Sequence, residues 1–193
     1  MKIRQILILV IGLLLTYITF KSQYQSDIVM AVLWFALLIV GFLTALISIW
    51  LDVRDYVKDR HISGFISTLM VLVFTFIIGL AEYNIQSKFA KPSLLKVYYD
   101  GDINGTGIDF KNDGTYILDN SSIGFSGYFY GVYSISGNKV GLDKEAIDNV
   151  IESQHLEIKN DPDLNELYLY QTDAAGKILK DATLFRIVTD NRK

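Results

Sequence analysis

Three long apolar runs fall within the first 81 residues of this 193-residue chain, and none follows. Ile6–Phe20, Ile28–Leu51 and Ile62–Ala81 contain no Asp, Glu, Lys or Arg. A helix needs about 20 mostly apolar residues to cross the hydrocarbon of a bilayer, because each residue advances only about 1.5 Å. The second and third runs meet that length. The first reaches it when Gln23 and Tyr24 extend its outer end into the interface. The sequence therefore predicts transmembrane helices over about 6–24, 28–51 and 62–83. Together they make a membrane region over 1–92, followed by a soluble β domain over 93–193.

The charges divide at the same boundary. Through residue 92 there are eight Lys and Arg against five Asp and Glu; beyond it there are ten against sixteen. An acidic domain repels phosphate backbones, so no nucleic acid partner is expected. The chain has no cysteine, which excludes disulfides, thiolate chemistry and Cys-based zinc sites.

Orientation follows from basic residues in short loops. Lys2 and Arg4 precede the first run, and Arg54, Lys58 and Arg60 lie between the second and third. The opposite side holds Lys21 in a short loop, with Lys88, Lys91 and Lys96 after the third run. The first helix and the inner loop set the N-terminus inside, and three crossings carry the C-terminal domain out of the cytoplasm. The basic start and apolar centre of the first run also fit a signal peptide, but no small-x-small cleavage site follows Thr16, so a retained helix is expected. The chain reads as a multi-pass protein of a bacterial inner membrane, in contact with membrane lipid. No charge is expected within the membrane cores. Glu82, at the outer end of the third helix, is expected to reach interfacial water. Gly12 with Thr16, and Gly41 with Ala45, have the spacing that lets helices approach closely.

After Pro92 the pattern changes to short strands. Lys111-Asn-Asp-Gly114 is a hairpin signal between Gly107–Phe110 and Thr115–Leu118. Ser136-Gly-Asn-Lys139 is a second turn, and Asn160-Asp-Pro-Asp163 a third. Asp143 is placed to cap a short helix with Ile147, Val150 and Ile151 as its apolar stripe. Seven or eight strands with frequent turns predict a small antiparallel barrel or sandwich carrying that one helix. Phe110-Lys-Asn-Asp-Gly-Thr-Tyr116, then Gly131-Val-Tyr-Ser-Ile135 and Gly137-Asn138, resemble the hairpins of bacterial lipocalin-like meander domains. The layout of a few membrane helices plus a small extracytoplasmic β domain is similar to membrane-bound toxin-immunity proteins. The first resemblance implies a fold style and a binding role, and neither supplies a catalytic residue.

Two constellations are candidate sites. Asp100, Asp102 and Asn104, with Gly105, match the opening of a calcium loop, in which alternate oxygens converge on a hard cation. Lys111 stands where such a loop needs Glu, so Asp109 is the substitute ligand, and a plain connecting loop is the competing reading. The second is aromatic. Tyr98, Tyr99, Tyr116, Tyr128, Tyr130, Tyr133, Tyr168 and Tyr170 serve either a sheet core or an interface. Gly124-Phe-Ser-Gly-Tyr-Phe-Tyr-Gly131 is expected to interrupt regular pairing, placing Tyr128, Phe129 and Tyr130 on a loop or bulge at a protein interface. No nucleophile elbow, HExxH helix, phosphate loop or dinucleotide fingerprint occurs. The expected function is non-enzymatic and needs no cofactor: recognition of a protein, with toxin neutralisation its most specific version. The alternatives are a carrier of a lipid or small apolar ligand, and a structural subunit of an envelope complex.

The orientation is checked by reporters fused after Lys193. A periplasmic phosphatase should be active in intact cells, and a cytoplasmic reporter at the same point should be silent; the reverse pattern would invert the topology.

Overall fold

A computed structural model describes residues 3–60, 62–161 and 165–192. Lys2, His61, Pro162, Asp163 and Lys193 lie outside the described residues. The chain divides into two units, Met1–Lys88 and Phe89–Lys193.

The first unit is helical: α1 (Ile3–Ser22), a short extended segment β1 (Gln25–Asp27), α2 (Ile28–Asp59), a 3₁₀ turn (Ile62–Phe65) and α3 (Ile66–Ala90). All three α-helices are long and apolar enough to cross a membrane. The Asp27 side chain accepts from the Met30 N–H at 2.7 Å and so starts α2. Nothing in Asp52–Asp59 breaks a helix, and α2 runs eight residues past its apolar stretch. It ends where Arg60 turns into the left-handed region, φ 55°, with its N–H on the Tyr56 carbonyl. Within the helical unit α1 buries one stripe, Ile8, Ile11, Gly12, Leu15, Ile18 and Thr19, at three- and four-residue spacing. Gly12 sits under Phe74, and a Cβ there would lie 2.5 Å from the ring's Cγ. Gly41 faces Ile11 in the same manner, at 3.2 Å from its Cγ2. Apolar side chains of α2 and α3 are otherwise exposed along much of their length, as suits a lipid surrounding.

One expectation fails in this unit. Asp52, left by the sequence in the loop between the predicted helices 28–51 and 62–83, lies within α2 and is 0 % exposed. Arg4 of α1 pairs with its carboxylate at 2.5 Å, and both the N–H and the hydroxyl of Thr68, at the start of α3, donate to it at 2.9 Å. One carboxylate thus links three helices.

The second unit is a β-barrel. Its strands are β2 (Ser93–Gly101), β3 (Asn104–Lys111), β4 (Thr115–Ser122), β5 (Phe125–Ser136), β6 (Lys139–Leu142), β7 (His155–Asn160), β8 (Leu167–Thr172) and β9 (Phe185–Asp190). Each pairs antiparallel with the next, and β9 returns to β2 through Leu95↔Asp190 and Val97↔Ile187. Closure decides for a barrel over a sandwich and leaves no long free edge. The Asn112-Asp-Gly114 loop forms as its residues dictate. Gly114 takes φ 83°, and Asp113 accepts from the Thr115 N–H and hydroxyl. Lys91, 2.7 Å from Asp113, is the main cause that holds this carboxyl at about 2.

Alternation sends Leu95, Val97, Ile108, Phe110, Tyr116, Leu118, Val140, Leu142, Leu156, Ile158, Leu169 and Phe185 into one core. Gly131 lies directly opposite Tyr116, whose ring occupies the space a Cβ would need. That cross-strand cover keeps β5 regular for 12 residues, so the expected interruption of pairing between Gly124 and Gly131 does not occur. The Tyr116 phenol, desolvated and beside Asp143, is held well above the ordinary tyrosine range.

The segment after β6 also departs from expectation. Asp143 does not start a helix. Asp148 and Asn149 adopt positive φ, 51° and 55°, and Val150 N–H bonds the Ile147 carbonyl, the pattern of a tight hairpin turn. Ile147 and Ile151 pair across it, and both are buried in the barrel core. The short helix of the structure is the 3₁₀ turn of the helical unit instead. Gln171 of β8, itself buried, fastens this plug. Its Oε1 accepts from Glu152 N–H at 2.7 Å, and its Nε2 donates to the carbonyls of Val150 and Thr183 at 2.8 and 3.1 Å.

Gln171→Leu keeps the volume but strands these three backbone groups. It should lower barrel stability in the full chain by about 2–4 kcal/mol, read from thermal loss of the aromatic circular dichroism. A melting temperature unchanged from wild type would show that the plug does not depend on Gln171.

Candidate recognition surface

The structure separates the residues of both candidate sites. In β5, Tyr128, Phe129 and Tyr130 pair with Asp119, Leu118 and Ile117 of β4 in unbroken register. Strand alternation therefore turns Phe129 inward, where it packs on the core, and Tyr128 and Tyr130 outward. Phe129 is thus a core residue. Tyr128 stands edge-on to Phe89, with ring centroids 5.5 Å apart, so part of its surface is spent within the barrel unit. Lys144 Nζ donates to the Tyr130 carbonyl at 2.8 Å. The other tyrosines divide similarly. Tyr133 stacks edge-on to Phe110 at 4.9 Å and donates its hydroxyl to the Lys111 carbonyl, while the Tyr170 hydroxyl bonds Asp161.

The calcium set is not assembled. Gly101 and Asn104 close the β2–β3 hairpin, with Asp102 at φ 64° on its tip and Asp100 one pair below. Asp109 lies five residues along β3 from Asn104, roughly 17 Å at strand rise. It pairs with Lys96, and its carboxylate is engaged by Lys111 at 2.8 Å and Lys96 at 3.4 Å. Lys111 is itself buried and also donates to the carbonyls of Phe89 and Lys91, so Asp109 is an ion-pair partner for a structural lysine. The oxygens at 100–104 are turn chemistry: Asp is among the residues that tolerate the left-handed backbone of a tip. Among the described residues no group of three His, Cys, Asp or Glu side chains is placed to hold a metal.

Sequence reasoning missed the rim of the barrel. The β2–β3 and β4–β5 hairpins end side by side, because Asn104 pairs with Ser122. Their tips carry Ile103, 70 % exposed, and Ile123, 85 % exposed, with Phe125 and Tyr99 exposed beside them. Isolated exposed isoleucines mean little. Two on adjacent tips, with Tyr99 and Phe125 exposed on the flanking strands β2 and β5, form an apolar stretch of the rim, and register brings them together. The signal in the sequence was an apolar residue inside each of two stretches rich in Asp, Asn, Ser and Gly, residues 100–105 and 119–124, whose composition favours turns. A second concavity, of about 200 Å³, is lined by Ser134, Gly141, His155 and Asp173 on the barrel wall. Ser134 and His155 flank side-chain-free Gly141 in register, and among the described residues no hydrogen bond joins their side chains.

Calcium should raise the melting temperature of the full chain no more than magnesium does at equal ionic strength, since a specific site would stabilise by mass action. A calcium-specific rise lost in Asp102→Ala would restore the metal reading.

Comparison with family models, with curated proteins and with solved structures finds no match to this chain.

Proposed function

We propose that this chain is a non-enzymatic, membrane-anchored recognition protein of a bacterial inner membrane. Its barrel lies outside the cytoplasm and binds a protein, with a toxin as the most specific partner. The observation that carries this reading is the use of the barrel's two surfaces. The interior is filled by Phe110, Tyr116, Phe185 and a plug of Ile147 and Ile151, while apolar side chains project from the rim at Ile103 and Ile123. Eight strands enclose just enough room for side chains or for one small ligand, and here the side chains take it. That weighs against the lipid carrier of a lipocalin-like reading. A protein partner uses exposed apolar tips as anchors, at a centre ringed by polar groups such as Asp100, Asp102 and Asp119. Membrane anchorage keeps such an inhibitor concentrated where an envelope-directed toxin acts.

A structural-subunit reading has one observation in its favour. The outward apolar faces of α2 accept neighbouring helices as readily as lipid.

Deletion of the gene should sensitise cells to contact with siblings that carry a toxin gene beside it. Restoring the wild-type chain should protect, and Ile103→Asp with Ile123→Asp should cost at least about tenfold in toxin affinity without lowering the barrel's melting temperature. A deletion strain that survives contact as its parent does would refute toxin neutralisation. Unchanged affinity in the double variant would refute the rim as the recognition surface.

A further inference from the structure

The helical unit holds a cavity of about 290 Å³ where the end of α1, β1 and the start of α2 meet Glu82 of α3. Ile18, Met30 and Trp34 form its apolar wall, and Lys21 and Ser26 line it together with Glu82. The wall is fixed, because the Trp34 indole N–H donates to the Thr19 hydroxyl at 3.0 Å and Thr19 is buried. Lys21 and Glu82 carry opposite charges in one cavity, yet they form no ion pair with each other. Neither side chain has an ion-pair or hydrogen-bond partner among the described residues. Opposite charges beside a bilayer gain by pairing, since the local dielectric is far below that of water. Two that line one cavity without closing on each other are spaced for something between them.

We propose that this cavity binds the head of a zwitterionic phospholipid bearing a primary ammonium, of the phosphatidylethanolamine class. The ligand's ammonium donates to the Glu82 carboxylate. Its phosphate accepts from the Lys21 ammonium and the Ser26 hydroxyl. Its glycerol and upper acyl carbons lie along Ile18, Met30 and Trp34. The placement fits the source of the ligand. The cavity sits at the ends of helices long and apolar enough to cross a membrane, where lipid heads are abundant. A quaternary ammonium cannot replace the primary one, because it has no N–H to donate to Glu82. An anionic lipid would leave Glu82 facing like charge. This site is independent of the barrel's partner and stands whether or not the barrel recognises a toxin.

The test is lipid retention by the purified full-length chain in detergent, read by native mass spectrometry. Phosphatidylethanolamine, phosphatidylcholine and phosphatidylglycerol of matched chains are offered together. Wild type should retain phosphatidylethanolamine at least about tenfold over phosphatidylcholine. Glu82→Gln should abolish that preference, and Lys21→Gln should weaken retention of both. Equal retention of the three lipids by wild type overturns the proposal. That arm needs no variant, so misfolding of either substitution cannot shelter it. A preference that persists in both variants also overturns it. Displacement by soluble glycerophosphoethanolamine as effective as by the lipid would overturn the bilayer as the source of the ligand.

Discussion

The helical unit depends on one buried carboxylate. Asp52 receives Arg4 from α1 and both donors of Thr68 from α3, so each helix contributes to a single polar cluster. Without a hydrophobic driving force between apolar helices in lipid, packing and such polar contacts must specify the arrangement. The pair is not free stability. Desolvating two ions costs several kcal/mol, and their attraction roughly offsets it. What the cluster supplies is a penalty for other registers: sliding α3 by one turn takes both Thr68 donors from the buried carboxylate, at a cost of about 1.5–3 kcal/mol each. Asp52 also serves the first turn of α3, where free N–H groups and the helix dipole favour an anion. The Gly12–Phe74 and Gly41–Ile11 contacts then set how closely the helices approach, and Asp52 sets which residues meet.

The barrel answers the same problem of polar groups in an apolar place with an amide instead of a charge. β6 has four residues, too few to carry the barrel wall to its rim, and the following segment folds inward to fill the gap. A plug made of backbone brings N–H and C=O groups that must be paired. Gln171 is suited to that task, because one side chain offers two donors and an acceptor. A carboxylate would lack the donors, and an aliphatic residue would leave the Glu152 N–H and the Val150 and Thr183 carbonyls without this partner.

Legibility in the sequence followed the range of the interactions involved. The three helices were legible because an uncharged run of bilayer length means the same thing in any surroundings. The turn at Gly114 was legible because its chemistry lies within three residues. The strand at Gly127–Gly131 was misread because its glycines are weak alone, while Gly131 is covered by Tyr116 from the neighbouring strand. The segment at Asp143 was misread because Ile147, Val150 and Ile151 have helical spacing, while Asp148 and Asn149 favour the positive φ that makes a tight turn. Asp52 looked like a loop residue because its helix carries on past the apolar run. Of the proposed sites, Tyr128, Phe129 and Tyr130 were adjacent in sequence and were parted by strand alternation. Ile103 and Ile123 were twenty residues apart and were joined by register.

On the proposed recognition role, a filled barrel leaves its rim as the binding surface, and the way the rim is held affects what it can bind. Both longer rim loops, 143–154 and 173–184, are tied to Gln171 through Val150, Glu152 and Thr183. The other two rim elements are tight hairpins that close on Asp102-Ile103 and Ile123-Gly124. A partner therefore meets a surface whose backbone is already ordered, and it avoids about 0.5–1.5 kcal/mol for each side chain and loop segment it would otherwise immobilise. Pre-organisation of this kind favours slow dissociation more than fast capture. For that proposed role, it suits a barrel that follows a helix of membrane-spanning length through Lys91 and Pro92, where anchorage supplies local concentration and the rim needs only to hold what arrives.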